Sequence, residues 1–304
     1  MRAVVVGSLN MDLVLGVPEL PSRGQTLLSR SWDRSPGGKG ANQASALGRL
    51  GAGVEMVGAV GDDADGAELV IALAAAGVST RHVSKRAREH TGLAVVCVTP
   101  EGDNAIVVAS GANATLLPGD VVAAAPAFAG ASLLLLQLEI PPETVLAAAA
   151  AGRQAGALVI LNAAPARDMA AGLLGQVDVL VVNAGEAAAL AGGDDPEVAA
   201  ARLRDQGPGM VVVTRGGEGC LVADDHGMSR LPADPVAVVD TTGAGDCFAA
   251  ALGFGLAEGH DARQAARFAV AAAALAVTRP GAQATPSRPE VEAFIRRCDR
   301  PDGS

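Results

Sequence analysis

Val238-Val239-Asp240-Thr241-Thr242-Gly243-Ala244-Gly245-Asp246-Cys247-Phe248 is the stretch from which the rest of the chain can be read. The β-branched run Val236, Val238 and Val239 reads as a strand, Gly243 and Gly245 as a turn free of Cβ obstruction, and the Ala-rich amphipathic segment from Asp246 as a helix. A Gly-rich turn feeding a helix N-terminus aims unpaired backbone N–H groups and the positive end of the helix dipole at one spot, which suits a phosphate. Two carboxylates, Asp240 and Asp246, flank it. That pairing fits a site that handles a cation and a proton as well as an anion. A structural reading stands beside this one: Asp at a helix start commonly caps it, and Gly in such a turn commonly serves backbone geometry alone.

Working outward, short apolar runs recur between helical stretches. Ala3–Gly7, Val54–Val60, Leu133–Leu138, Leu158–Leu161, Val177–Val182 and Met210–Thr214 read as buried strands. The segments around Gly40–Leu50, Gly66–Ala76, Pro142–Ala155, Glu186–Ala191 and Pro196–Gln206 read as the helices between them. Strands that are continuously Val, Leu and Ile imply burial on both faces, so the expected fold is α/β with a doubly wound, mostly parallel sheet flanked by helices. Ligands of such sheets bind at the carboxyl ends of the strands.

Two segments depart from this rhythm. Residues 12–34 and 92–110 alternate partly, with polar and Gly/Pro punctuation, and predict a small β-sheet lid inserted in one domain spanning 1–304. Ordinary surface hairpins are the other reading. The tail Arg297–Ser304 is expected to fray.

Composition narrows the function classes. Half of the 304 residues are hydrophobic but only 2% are aromatic, with no Tyr, so the core must be aliphatic and Ala-rich. A net charge of −10 and the shortage of aromatic platforms argue against nucleic acid as a partner. Cys97, Cys220, Cys247 and Cys298 are widely spaced, which excludes a disulfide framework or zinc site and points to a reduced, cytoplasmic setting. The apolar N-terminus is interrupted by Asn10 and Asp12 and reads as strand rather than leader, and no run approaches the roughly 20 residues that span a bilayer.

P-loop, dinucleotide and His-based metal motifs are absent. A second unusual cluster is present at Pro36-Gly37-Gly38-Lys39-Gly40-Ala41-Asn42-Gln43, where successive glycines before a helix permit close approach of backbone to a ligand. Taken with the Asp240–Asp246 stretch, this block resembles the ribokinase (PfkB) family of ATP-dependent sugar and nucleoside kinases. The resemblance runs over nearly the whole chain. It includes Gly7-Ser8-Leu9-Asn10-Met11-Asp12, Gly111-Ala112-Asn113, Gln137-Leu138-Glu139, Asn162-Ala163-Ala164-Pro165-Ala166, Asn183-Ala184-Gly185-Glu186, Thr214-Arg215-Gly216-Gly217-Glu218-Gly219 and Ala276-Val277-Thr278-Arg279-Pro280-Gly281-Ala282-Gln283.

The resemblance implies transfer of the γ-phosphoryl group of ATP to the 5-hydroxyl of D-ribose, with deoxyribose, a nucleoside or fructose as alternative acceptors. It implies that Asp246 is the general base and that the N–H groups of Gly243, Ala244 and Gly245 form an anion hole. Asn10, Asp12, Gly38, Lys39, Gly40, Ala41, Asn42 and Glu139 would surround the sugar; Lys39 could instead reach phosphate or stay solvated. Thr214, Arg215, Gly216, Gly217, Glu218, Gly219, Gly245, Asp246, Asn183 and Val270 would line ATP. Asn183 and Glu186 would face the Mg²⁺–phosphate group through water. Asp240, Thr242, Ala276, Arg279, Gly281 and Thr285 would hold an activating K⁺, since oxygen ligation suits a hard ion of low charge.

Three positions depart from the family pattern: Val270 is apolar where a polar side chain near adenine is common, Ala163 replaces a frequent Pro, and Thr285 stands where Ser or Asn is common. A nucleoside acceptor would call for more aromatic walls and a sugar phosphate for more Lys or Arg. A catalytically dead sugar-binding regulator would be expected to lack Asp246 or the glycines, all of which are present. The exposed edge of a lid sheet is a liability that a two-fold partner would cover, so a homodimer through the lid is expected.

Overall fold

Leu133–Leu136, four leucines in a row, form a strand in which no residue is more than 1% exposed. Full burial of each side chain contributes about 2 kcal/mol, which only a strand covered on both faces can gain. The computed structural model describes residues 1–101 and 103–299. Its elements begin with β1 (Arg2–Val6), β2 (Asn10–Gly16), β3 (Ser31–Gly37), α1 (Lys39–Arg49), β4 (Gly53–Gly61), α2 (Ala64–Ala75) and β5 (Val78–Arg86). Then follow β6 (Gly92–Val98), β7 (Asn104–Ala109), α3 (Pro118–Ala123), α4 (Ala125–Phe128), β8 (Leu133–Leu136), α5 (Pro142–Gln154) and β9 (Leu158–Asn162). The remainder comprises β10 (Val179–Asn183), α6 (Ala184–Ala191), α7 (Pro196–Arg204), β11 (Met210–Thr214), β12 (Cys220–Asp224), β13 (Gly227–Leu231), α8 (Ala244–Ala257), α9 (Ala262–Ala276) and α10 (Arg288–Cys298).

Nine strands make one sheet in the order β13-β12-β11-β10-β9-β8-β1-β4-β5, parallel except where β12 and β13 add antiparallel. Alternate residues feed opposite cores. Ala3, Val5, Leu133 and Leu135 join one apolar cluster with α1, α8 and α9, while Val4, Val6, Leu134 and Leu136 join another with α5 and α7. The chain runs outward through β1, β4 and β5, then returns to β8 beside β1 and runs out the other way. The reversal between β1 and β8 opens a crevice at their carboxyl ends, where Gly7–Asn10 and Gln137–Glu139 emerge. The expected doubly wound sheet is therefore present, and its switch point locates the site.

A second sheet of four strands, in the order β3-β2-β6-β7, stands apart as the lid. Its strands lie within or just beside the two segments set apart by their alternation.

Some expectations need correction. Val236, Val238 and Val239 form no strand. Pro232 and Pro235 remove ladder donors, the Val239 and Asp240 N–H groups both donate to the Val277 carbonyl (2.8 and 3.2 Å), and Val238 and Val239 lie exposed. The helix starts at Ala244 rather than Asp246, with Gly243 (φ +73°) as its cap, so Asp246 is the third helical residue and buried. The C-terminal helix extends through Cys298, so Arg297 is helical, and residues 300–304 of the expected frayed tail lie outside the described residues. Among the described residues no helix is long and apolar enough to cross a membrane.

Candidate active site

Asp246 reaches the crevice from the first turn of α8, only 6% exposed. Two neighbours on α1 hold its carboxylate. Asn42 Nδ2 donates to Oδ2 and Gln43 Nε2 to Oδ1, each at 3.0 Å. The start of α1 can lie this close to the crevice because of glycine. Gly38, at φ +88°, caps the helix, and a Cβ on Gly40 would come within 2.6 Å of the Gly7 and Ser8 backbone.

Where β1 and β8 end, a recess of about 100 Å³ is lined by Asn10, Val108, Ser110, Glu139, Pro165 and Arg167 among others. Its polar groups are oriented before any ligand arrives. Asn113 Nδ2 donates to Asn10 Oδ1 at 2.8 Å, which turns the Asn10 amide outward as a donor. Glu139 Oε2 accepts from Ser8 Oγ (2.5 Å), the Lys39 N–H (3.2 Å) and Asn10 Nδ2 (3.5 Å), leaving Oε1 for an incoming hydroxyl. Arg167 Nη1 donates to the Leu138 carbonyl at 3.1 Å.

Lys39 is the charge centre of the site. Burial works against its ammonium, but the fields of Asp246, Glu139, Glu186 and Asp12 outweigh burial and raise its pKa, so it stays charged. Asp12 is pushed up from 3.8 to about 7, chiefly by burial, then by the charges of Glu139 and Asp246, with Lys39 opposing.

Of the N–H groups of Gly243, Ala244 and Gly245 expected to form an anion hole, one has a partner within the turn. The Ala244 N–H donates to the Thr241 carbonyl at 3.2 Å, whereas the Gly245 and Asp246 N–H groups lie in the first helical turn, which lacks intrahelical acceptors.

Farther along the sheet edge, Asn183 and Thr214 pair across β10 and β11 at their carboxyl ends. Asn183 and Glu186 form a reciprocal capping box: each side chain accepts from the other's N–H at 2.8 Å. Burial raises the Glu186 pKa, against its bond to the Asn183 N–H and the charge of Lys39. In the Thr214–Gly219 loop, Arg215 pairs with Glu218. Gly216 and Gly217 face open space, while a Cβ on Gly219 (φ +88°) would sit 1.9 Å from the Leu231 carbonyl oxygen. Gly219 is thus required by packing against β13. Val270 lies on the buried face of α9, only 4% exposed.

Asp240 ties two loops together, its Oδ1 accepting from the Thr242 N–H (2.9 Å) and its Oδ2 from the Gly281 N–H (2.8 Å). Burial opposes its ionisation, but these bonds and the Thr242 hydroxyl win and hold its carboxyl below the usual range. The Arg279 guanidinium pairs with Glu290 at 2.5 Å, and Arg49 Nη1 donates to the Thr285 carbonyl at 3.3 Å. Thr285 is buried with its hydroxyl against the Cys247 thiol, which burial pushes up to about 12.

The sequence reading missed Gln43, Gln137 and Asn162 behind Asp246, and Ser8, Asn113 and Arg167 around the recess. Gln43 carried a signal: it is a polar residue inside an otherwise buried helical face.

Over 292 residues the chain is 40% identical to the ribokinase of Bacillus subtilis, covering 96% of this chain and 98% of that protein. It is 35% identical to the deoxyribokinase of Salmonella typhi, covering 97% of each. The solved structure of Arabidopsis thaliana ribokinase complexed with ribose and ATP superposes with a TM-score of 0.88 at 33% identity, covering 97% of this chain and 98% of that one. Residues 2–289 match the pfkB family carbohydrate kinases, and the chain belongs to that family.

Proposed function

We propose that this kinase transfers the γ-phosphoryl group of ATP to the 5-hydroxyl of D-ribose, giving ribose 5-phosphate and ADP. The observation that carries the reading is the Asp246 carboxylate in the first turn of α8, held by two buried amide donors. In this reading Asp246 takes the hydroxyl proton as the sugar oxygen bonds to phosphorus and the bond to the ADP oxygen breaks. A loose transition state asks mainly for positioning and charge stabilisation, which the Gly245 and Asp246 N–H groups and the α8 dipole supply. Asn10, Asp12 and Glu139 hold the sugar hydroxyls. The small recess, with no aromatic ring in its lining among the described residues, fits a pentose better than a nucleoside.

The nucleotide lies along Asn183, Thr214 and Gly216–Gly217, with Val270 lining the adenine end. Mg²⁺ fits this site as an ion carried on the substrate phosphates. No cluster of three His, Cys, Asp or Glu able to cage a metal occurs among the described residues, and Glu186 keeps one carboxylate oxygen free to meet its water shell. Bound there, the ion neutralises developing phosphate charge. Asp240 and the carbonyls of Thr242, Ala276, Arg279 and Gly281 fit K⁺, with the Thr285 side chain as a further candidate ligand. The four free cysteines suit the cytoplasm. The lid pairs with a second copy.

ADP release coupled to a reporter, run across ribose, deoxyribose, fructose and adenosine, tests the acceptor. Ribose should give the highest kcat/KM. A preference for deoxyribose, the acceptor in the name of the Salmonella typhi relative, would move the assignment within the family, and a preference for adenosine would overturn the pentose reading.

A further inference from the structure

Behind the Asp246 carboxylate lies a buried amide relay. Gln43, in the second turn of α1, and Gln137, just beyond β8, are both 0% exposed. Gln137 Nε2 donates to Gln43 Oε1 at 2.6 Å. Gln43 Nε2 then donates to Asp246 Oδ1 at 3.0 Å and to Asn162 Oδ1 at 3.1 Å. Asn162 is oriented in turn, since its own Nδ2 donates to the Val181 carbonyl at 3.3 Å.

The relay has a direction. Reversing the Gln43 amide would set its oxygen against two acceptor oxygens and its nitrogen against the Gln137 donor, so the partners of Gln43 fix which way both amides point. Donation from Gln137 also polarises the Gln43 amide and strengthens its N–H as a donor.

The device is kept at a cost. Gln137 Oε1 has no hydrogen-bond partner, and it occupies the space that a Cβ on Gly7 would need, 1.9 Å away. A buried orphan acceptor in a native interior calls for an explanation, and an apolar side chain would fill the same volume without it. Asn42 and Gln43 are successive residues on one helix, about 100° apart around its axis, so they grip the two carboxylate oxygens from different directions. Rotation of the carboxylate breaks both bonds.

We propose that Gln43, held in register by Gln137, is a positioning residue that fixes the plane of the Asp246 carboxylate toward the acceptor hydroxyl. The inference rests on the reading of Asp246 as the base.

The test compares Gln43→Leu, Gln137→Leu and the double variant with the wild type. The readouts are kcat, the acceptor and ATP KM values, and the thermal midpoint. Because misplacement of a reacting group by about 1 Å costs up to about 100-fold, Gln43→Leu should lower kcat by about 10- to 100-fold while the acceptor KM stays within about threefold. Gln137→Leu should give a smaller loss of the same kind. The double variant should be no slower than Gln43→Leu alone, because Gln137 reaches Asp246 only through Gln43. An unchanged kcat, a loss confined to KM, or losses that multiply in the double variant would overturn the proposal. If Gln43→Leu does not fold, Gln137→Leu and Gln137→Met decide it by the same split between kcat and KM. Rates are taken as ratios to wild type on whichever acceptor the wild type turns over. Failure of the ribose assignment is then seen in the wild type, and failure of the positioning role in the ratios.

Discussion

Gly243 holds its Cα hydrogen where a Cβ would lie 2.1 Å from the Ala282 carbonyl oxygen, in a left-handed turn at φ +73°. Gly243→Ala must either move that carbonyl or unwind the cap of α8. A strained left-handed residue costs about 1–3 kcal/mol before any clash is counted. The expected outcome is a lower urea midpoint together with a loss of kcat of more than about tenfold, because the Gly245 and Asp246 N–H groups shift with the turn. Equilibrium unfolding and steady-state rates on the same preparation check it.

Asp246→Asn keeps the shape of the base and removes its capacity to take a proton. The new amide also turns its NH₂ toward Asn42 or Gln43, both of which donate to the carboxylate. A kcat lower by about 10²–10⁴-fold with an acceptor KM within a few-fold of wild type is expected. Near-full ribose turnover by this variant would refute the mechanism.

Asp12 makes the acceptor site sensitive to pH. Its carboxyl is raised from 3.8 to about 7, so the folded protein favours the neutral form. The sign follows from linkage: this contribution to stability is fully present below the unfolded value and is lost as pH rises through about 7. The thermal midpoint of the unliganded protein, measured relative to that of Asp12→Asn, should therefore fall between pH 5 and pH 8. A sugar hydroxyl donates best to the ionised form, so the acceptor KM should fall over pH 6–8 in the wild type and stay flat in Asp12→Asn. A flat wild-type profile would contradict the assignment.

Asp240 bridges Thr242 and Gly281 through two backbone N–H bonds. If K⁺ completes this bridge, kcat should rise several-fold in K⁺ over a bulky organic cation. Asp240→Ala should abolish that response and cost about 2–4 kcal/mol, since two N–H groups lose a charged acceptor. Equal activity in both salts would remove K⁺ from the scheme.

Strand β7 forms an edge of the lid, with Ile106, Val107 and Val108 exposed at 57%, 70% and 43%. Such an edge invites pairing. Light scattering at micromolar concentration should give twice the mass of the chain, and Val107→Lys should shift it toward the monomer. A monomeric wild type would exclude the lid interface.

The strands and helices around the switch point were legible because each is a continuous apolar run with clear punctuation. Val238–Val239 misled for the same reason: β-branched composition without a partner is not a strand, and the two prolines upstream decided against it. Strands β5 and β13 were invisible because they carry mixed residues such as Ser79-Thr80-Arg81-His82 and gain their place from sheet neighbours, whereas β12 is a short apolar run that was passed over beside the Gly-rich loop. Within the site, charged and Gly-rich residues stood out; Gln43 showed only as a polar residue on an apolar helical face, and Gln137 did not show at all. An amide has no composition signature, and its role comes from partners 203 and 94 positions away in the chain.

The lid strands all begin or end at the recess. Asn10, which opens β2, pairs with Gly37 at the end of β3 and with Gly92 at the start of β6, and β7 ends beside Ser110. The residue proposed to hold a sugar hydroxyl is therefore also the one at which three lid strands meet. If Asn10 holds a sugar hydroxyl, the same residue joins acceptor binding to the pairing of β2 with β3 and β6, and a substitution that disturbs that pairing should register in acceptor affinity.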